Sequence, residues 1–289
     1  MKPTHQKTKK KKKELKLAHF TERLKKKKCC SDVESSHVSS SGEENQQINV
    51  IEANLVDEFY QSVEPHVIHS ENKLLYFDHM CVASQFPPLL NLKLFPNGKE
   101  VSESLSAYYS VRDYLEFKND LNIISNRNVQ CYVIADGNVP RTAAVFACAT
   151  NWRVFSIDPR MKQKWVCKFN NDVVSMDNEQ GQPKEQDFVE GLESTPSIQR
   201  LYPFSMTSTE FLQTSIFKKV KSLKSDLNII VAVHSHADLW EFYNEIPSPK
   251  LCLEIPCCFK PNIQREPITV FTDEALHSEK NTIYMWYEE

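Results

Sequence analysis

The side chains of this sequence that could do chemistry gather in a few short stretches, each directly after an apolar run. They are Asp136-Gly137-Asn138, Asp158, His234-Ser235-His236 and Pro256-Cys257-Cys258. Asp158 lies 22 positions after Asp136. A carboxylate about 20 residues beyond a first strand–helix turn is placed to accept hydrogen bonds from the vicinal hydroxyls of a ribose. The plainer alternative for Asp158 is a cap for the segment after Pro159. Arg141, at the start of the segment after the first turn, would combine with a positive helix terminus to make an anion site, or would be a surface arginine. An imidazole titrates near neutrality, so His234 is a candidate general base, with Asp238 beside it toward an acceptor. Two His and a Cys could also hold zinc. The spacing lacks a Cys-x-x-Cys pair, and adjacent cysteines diverge along a strand, so no metal is expected. A cysteine nucleophile is a further alternative, and packing with substrate-facing polar groups is the preferred one.

These stretches need strands to present them. Val129–Ala135 is a β-rich apolar run, Thr142–Thr150 is almost wholly apolar with Pro140 before it, and Arg153–Ile157 is a second apolar run ending at Asp158. The order strand, turn, helix, strand in about 30 residues is a βαβ unit. Downstream, Gln199–Phe204, Leu227–Val233 and Lys250–Ile255 read as strands, Thr209–Lys224 and Asp238–Glu245 as helices, and Ile268–Thr272 with Thr282–Tyr287 as a hairpin. Upstream, Ser102 reads as the N-cap of a helix with Glu103 in its first turn and Leu105, Tyr108, Val111 and Leu115 on one face, ending near Lys118. Pro87-Pro88 and Pro96-Asn97-Gly98 read as turns, and residues 50–63 as a helix. The fold class is therefore α/β: a doubly wound, mainly parallel sheet of Rossmann-like type with a C-terminal antiparallel hairpin. Such sheets bind ligands beyond the carboxyl ends of their strands at the topological switch point, which is where the polar stretches fall.

Composition limits the choice of ligand and setting. The chain has 289 residues and only five glycines, at 42, 98, 137, 181 and 191. The first loop thus holds Gly137 alone and lacks G-x-G-x-x-G, which disfavours a pyrophosphate cradle and a nicotinamide dinucleotide oxidoreductase. Nine cysteines, several inside apolar runs, suggest reduced thiols in an intracellular protein, nuclear or cytoplasmic. No apolar run approaches the length of a membrane span, so no membrane association is expected.

Residues 1–30 hold twelve Lys and Arg23 against Glu14 and Glu22, a net +11, and the rest of the chain carries −14. The blocks Lys9–Lys13 and Lys25–Lys28 form a basic arm, expected to be disordered: a solvating tail, an import signal or a nucleic-acid-binding segment. The domain reading is an arm and Ser/Glu-rich linker over 1–49, then a Rossmann-like domain over 50–289 with an N-terminal extension over 50–100 and an acidic insertion over 176–197.

Over residues 100–289 the chain resembles the class I, Rossmann-like methyltransferases that use S-adenosylmethionine. The resemblance rests on Tyr132-Val133-Ile134-Ala135-Asp136-Gly137-Asn138 as a first motif, on Asp158 at the end of the second strand, and on His234-Ser235-His236-Ala237-Asp238 followed by Leu253-Glu254-Ile255-Pro256-Cys257-Cys258. The last pair is similar to a histidine-plus-Pro-Cys-Cys pattern of some RNA methyltransferases. The resemblance implies S-adenosylmethionine as cofactor, held by Asp136, Gly137, Asn138, Arg141 and Asp158, with His234 and Asp238 facing a methyl acceptor that is a nucleic acid or nucleoprotein. A reading from another class is a catalytically silent Rossmann-like module that binds RNA or a protein partner through its lysine arm.

Overall fold

The structure, a computed structural model, describes residues 66–68, 74–169, 192–193, 198–257 and 260–289. The basic arm, the linker, the 50–63 segment, most of the acidic insertion and Cys258 lie outside the described residues. The strands in chain order are β1 (His66–Ile68), β2 (Val129–Ile134), β3 (Arg153–Ile157), β4 (Lys168–Phe169), β5 (Leu192–Glu193), β6 (Leu201–Phe204), β7 (Leu227–Val233), β8 (Lys250–Ile255), β9 (Thr269–Asp273) and β10 (Thr282–Glu288). The helices are α1 (Leu75–Val82), α2 (Pro87–Asn91), α3 (Gly98–Phe117), α4 (Arg141–Ala149), α5 (Ser208–Gln213), α6 (Ser215–Ser222) and α7 (Leu239–Glu245), with a 3-10 turn at Leu121–Ser125.

Eight strands form one sheet in the order β1-β9-β10-β8-β7-β2-β3-β6, and β4 pairs with β5 separately. From β6 through β3, β2 and β7 to β8 all pairings are parallel. Among the described residues of this sheet only β10 runs antiparallel, to both β8 and β9. Numbered by their appearance in this parallel set, the strands lie in the order 3-2-1-4-5. The order reverses between β2 and β7, the switch point of a doubly wound sheet.

The strand residues alternate between two apolar layers, as a sheet covered on both faces requires. Cys131, Val133, Val154, Ile229, Val231 and Leu253 face the layer that contains α1–α4. Tyr132, Ile134, Phe155, Ile230 and Cys252 face the layer formed with Phe211 of α5, Phe217 and Val220 of α6, and Phe242 and Tyr243 of α7. Among the described residues no helix is long and apolar enough to cross a membrane.

Three local expectations need correction. Helix α3 begins at Gly98, with Asn97 Oδ1 accepting from the Glu100 amide at 3.1 Å, so Asn97 and not Ser102 is the cap. Ser102 sits inside the helix, donating to the Lys99 carbonyl and accepting from the His277 amide. Glu103 thereby moves from the first turn into the buried part of the helix. The Pro87-Pro88 pair opens α2, a place where the missing N–H has no helical partner to lose. The single helix expected over 209–224 is two: Thr214 is extended, its Oγ1 donating to the Phe211 carbonyl and accepting from the Phe217 amide. A threonine that caps in both directions satisfies the broken ends better than it satisfies a helix interior.

Candidate functional site

At the switch point both central strands end on a residue with left-handed backbone. Ala135 after β2 has φ 59° and His234 after β7 has φ 50°. Each still donates its amide to the neighbouring strand, Ala135 to the Ile157 carbonyl at 2.8 Å and His234 to the Ile255 carbonyl at 2.7 Å. The two chains then leave the sheet in opposite directions, toward α4 and toward α7. A cleft of about 350 Å³ opens between them, walled by α3 on one side and by Cys257 and the 278–280 turn on another. Left-handed backbone at a β-carbon-bearing residue is strained and tends to mark functional loops.

The β2 loop is held by two acids, its own Asp136 and Asp158 from the end of β3. Asp136 is buried, and its carboxylate accepts from the Thr142 amide at 2.9 Å, the Ala143 amide at 3.0 Å and Ser156 Oγ at 2.9 Å. It caps α4 from the preceding loop, although Pro140 stands at the N-cap position. Burial pushes its pKa up to about 6, against the opposite pull of those three donors and of Arg141. Asp158 is also buried and lies one step back from the cleft. Its Oδ2 accepts from the Gly137 amide at 2.9 Å and its Oδ1 from the Arg160 amide at 2.7 Å. Gly137, at φ +87°, is the position where a side chain would be strained; a β-carbon there would sit 3.0 Å from Nη1 of Arg141.

Arg141 spans three elements. It donates to the Leu94 carbonyl at 3.1 Å and to Asn138 Oδ1 at 3.3 Å, and pairs with Glu100 of α3 at 3.5 Å. It lines the cleft as a brace between α4, the loop and α3.

The β7 side is different. His234 Nε2 lies 2.7 Å from Glu103 Oε1 and 3.3 Å from Ser278 Oγ. The Glu103 side chain is 5% exposed and also has Lys99 Nζ at 3.6 Å. Glu and Ser meet the same ring nitrogen. A relay that activates a serine needs the acid and the hydroxyl on opposite nitrogens, so Ser278 is not arranged as a nucleophile. His236 Nδ1 lies 3.4 Å from Cys257 Sγ, and both line the cleft.

Of the side chains expected at the site, the structure brings Asp136, Gly137, Arg141 and His234 into the lining of one cleft. Asn138 is exposed and faces Arg141 outside the lining, Asp158 is behind Gly137, and Asp238 caps α7 by accepting from the Glu241 amide at 3.0 Å. Glu103, Lys99, Ser278 and Lys280 line the cleft without having been anticipated. On its helix face Glu103 has Lys99, Glu100, Ser106 and Ala107 as neighbours, and no local pattern marks it for the cleft. Among the described residues no group of three or more His, Cys, Asp or Glu is arranged to hold a metal ion.

No protein-family model matches the chain, and no curated protein matches its sequence. Among solved structures the chain is distantly similar to MtNAS. A crystal structure of a mutant of MtNAS is 10% identical with a TM-score of 0.35, over 94% of this chain and 97% of that one. A mutant in complex with S-adenosylmethionine is 10% identical at a TM-score of 0.33, over 94% and 96%. MtNAS in complex with MTA and tNA is 11% identical at a TM-score of 0.34, over 95% and 97%.

Proposed function

We propose that the switch-point cleft binds S-adenosylmethionine and that the chain is a methyltransferase acting on a nucleic acid or nucleoprotein. The observation that carries the cofactor reading is where the loop's amides are spent. In a dinucleotide-binding fold the N–H groups at the start of the first helix, and those of the loop before it, receive a pyrophosphate. Here Thr142, Ala143 and Gly137 give theirs to the carboxylates of Asp136 and Asp158. A phosphate at this turn would find those three amides already taken, with the Asp136 carboxylate in the cleft lining. A nucleoside ligand with a positive sulfonium and no phosphate meets neither obstacle. The mainly parallel sheet with its antiparallel C-terminal strand β10 agrees with the fold class expected for the domain.

When bound, the cofactor supplies an electrophilic methyl group. The chain's residues bind and orient around it. Asp136 fixes the start of α4, Asp158 fixes the Gly137 turn, Arg141 braces the loop against α3, and His234 stands at the opposite wall as the base. Asp158 would act on a ribose only through the Gly137 turn unless the Arg160 turn moves. The nucleic-acid acceptor rests on the charge of the lysine arm, whose blocks can neutralise phosphates.

Calorimetric titration of the full chain with S-adenosylmethionine tests the cofactor reading, and S-adenosylhomocysteine should raise the melting temperature by mass action. No heat and no shift at millimolar ligand would sink it. Deleting residues 1–30 should leave the melting temperature unchanged and flatten the salt dependence of nucleic-acid binding. An unchanged slope would move the acceptor contact to the folded body.

A further inference from the structure

We infer that Glu103 is a positioning residue that fixes His234 with Nδ1 as the proton-accepting atom of the cleft. This rests on the methyltransferase reading for its role in turnover, and on geometry alone for the pair itself.

The pair joins α3 to the end of β7 across 131 residues of sequence at 2.7 Å. A charged carboxylate only accepts hydrogen bonds, so the proton in this contact belongs to Nε2. A neutral imidazole protonated at Nε2 keeps its lone pair at Nδ1. Among the described residues no hydrogen bond reaches that Nδ1. Ser278 Oγ, 3.3 Å from the same Nε2, flanks the contact without competing for Nδ1. The arrangement is also held from behind. Glu103 is on a buried helix face with Lys99 3.6 Å from its carboxylate, and His234 sits at φ 50°, a backbone strain the surrounding packing maintains. A surface histidine would need neither. The other charged or titratable groups facing the cleft are Glu100, Asp136, Arg141, Arg160, His236, Cys257 and Lys280.

Such a base suits an acceptor that must lose a proton, an O–H or N–H group. In the transfer, the acceptor's lone pair forms the new bond to carbon, the sulfonium–methyl bond breaks with its electrons on sulfur, and the acceptor's proton passes to Nδ1. Glu103 then faces an imidazolium and stabilises it, before the proton is released to water.

The test is nitrogen-15 NMR of the imidazoles in the full ligand-free chain, with the His234 signal identified by its absence in His234→Gln. One tautomer, protonated at Nε2, is expected in the wild type and in Glu103→Asp, and a mixture in Glu103→Leu. An Nδ1-protonated ring in the wild type, or an unchanged tautomer in Glu103→Leu, overturns the pair. The role in turnover is read as S-adenosylhomocysteine release with bulk RNA as the probe. Glu103→Gln should lower kcat by about 100-fold or more while the KM for S-adenosylmethionine stays within about twofold. Equal losses in both, or none, would leave Glu103 a structural residue and overturn its positioning role. Failure of the wild type to bind S-adenosylmethionine while the single tautomer persists would remove the methyltransferase reading and leave the pair standing.

Discussion

The two loops that flank the cleft leave the sheet by the same backbone device and spend their polar groups in opposite ways. After β2, Asp136 turns inward to the start of α4, and Asp158 from the end of β3 takes the Gly137 amide of the same loop. After β7, His234 reaches across the cleft to an acid of α3. The first loop is closed on itself and makes a stiff wall; the second is completed by a distant element and offers a titratable group. A carboxylate beside a strand end can therefore serve the backbone as readily as a ligand, and burial with three donors separates the two cases.

The largest expected effect of breaking this contrast is at Asp136. Asp136→Ala leaves two helix-start amides and the Ser156 hydroxyl without their acceptor in a buried place. The loss should be about 3 kcal/mol, which lowers the melting temperature by roughly 6–12 °C for a domain of this size. A melting temperature within about 2 °C of wild type, measured by calorimetry, would mean the carboxylate does not hold the loop.

A second large effect is read through pH on β8, the strand beside β7. Glu254 at the end of β8 is buried and accepts from the Asn262 amide and side chain, yet burial pushes its pKa up to about 7 from an ordinary 4.5. The folded protein holds this proton more tightly than the unfolded chain. The stability it contributes is present below 4.5 and is lost as pH rises to about 7. Glu254→Gln cannot titrate, so its stability relative to wild type should climb across that window by about 3 kcal/mol and be flat outside it. Urea unfolding from pH 4 to 8 checks this, and parallel curves for the two proteins would refute it. Asp136, pushed up to about 6, gives a slope of the same sign in both proteins and cancels from the difference.

Much of this architecture was legible in the sequence. Arg153–Ile157, Leu227–Val233 and Lys250–Ile255 occupy the expected bounds because a strand covered on both faces must be apolar throughout, and such runs have sharp ends. The hairpin β9–β10 and the switch point followed from them. β1 was not legible, since three residues paired to β9 carry no pattern of their own. Nor was the start of α3, where Asn97 and Ser102 are both good caps and only the fold of 74–96 decides between them. The site was half legible. Residues at strand ends announce their position, so Asp136 and His234 were found; their partners were not, because whether an acid faces a ligand or an amide depends on tertiary contact. Glu103 shows this most plainly, as nothing local ties it to His234.

Gly137→Ala gives a middle-sized effect that sharpens the stiff-wall reading. The left-handed φ of +87° makes any side chain strained, and the new β-carbon would press on the Arg141 guanidinium, a flexible group that can shift. Stability should fall by about 1 kcal/mol. S-adenosylmethionine affinity should fall more than that strain accounts for, tenfold or beyond, because the displaced arginine braces the loop to α3. Calorimetric titration reads the affinity. A loss in stability with an unchanged dissociation constant would show that the loop does not shape the cofactor site.

The smallest effect concerns Asp238, which the sequence places beside the acceptor and the structure places at the head of α7. Its side chain is exposed and accepts from the Glu241 amide at 3.0 Å, the geometry of an N-cap, and it is not among the residues that line the cleft. A cap of this kind contributes about 1 kcal/mol, and asparagine serves nearly as well as aspartate. Asp238→Ala should therefore lower stability by about that amount, and Asp238→Asn should restore most of it. Neither change should alter S-adenosylmethionine affinity or the tautomer of His234, four residues away. The decisive comparison is between the two variants: a cap needs only an oxygen that accepts a hydrogen bond, whereas a group that handles an acceptor's proton needs the carboxylate. Turnover lost in Asp238→Asn while stability is retained would return Asp238 to the chemistry. Turnover retained in both would leave His234, with Glu103 behind it, as the base on the β7 side.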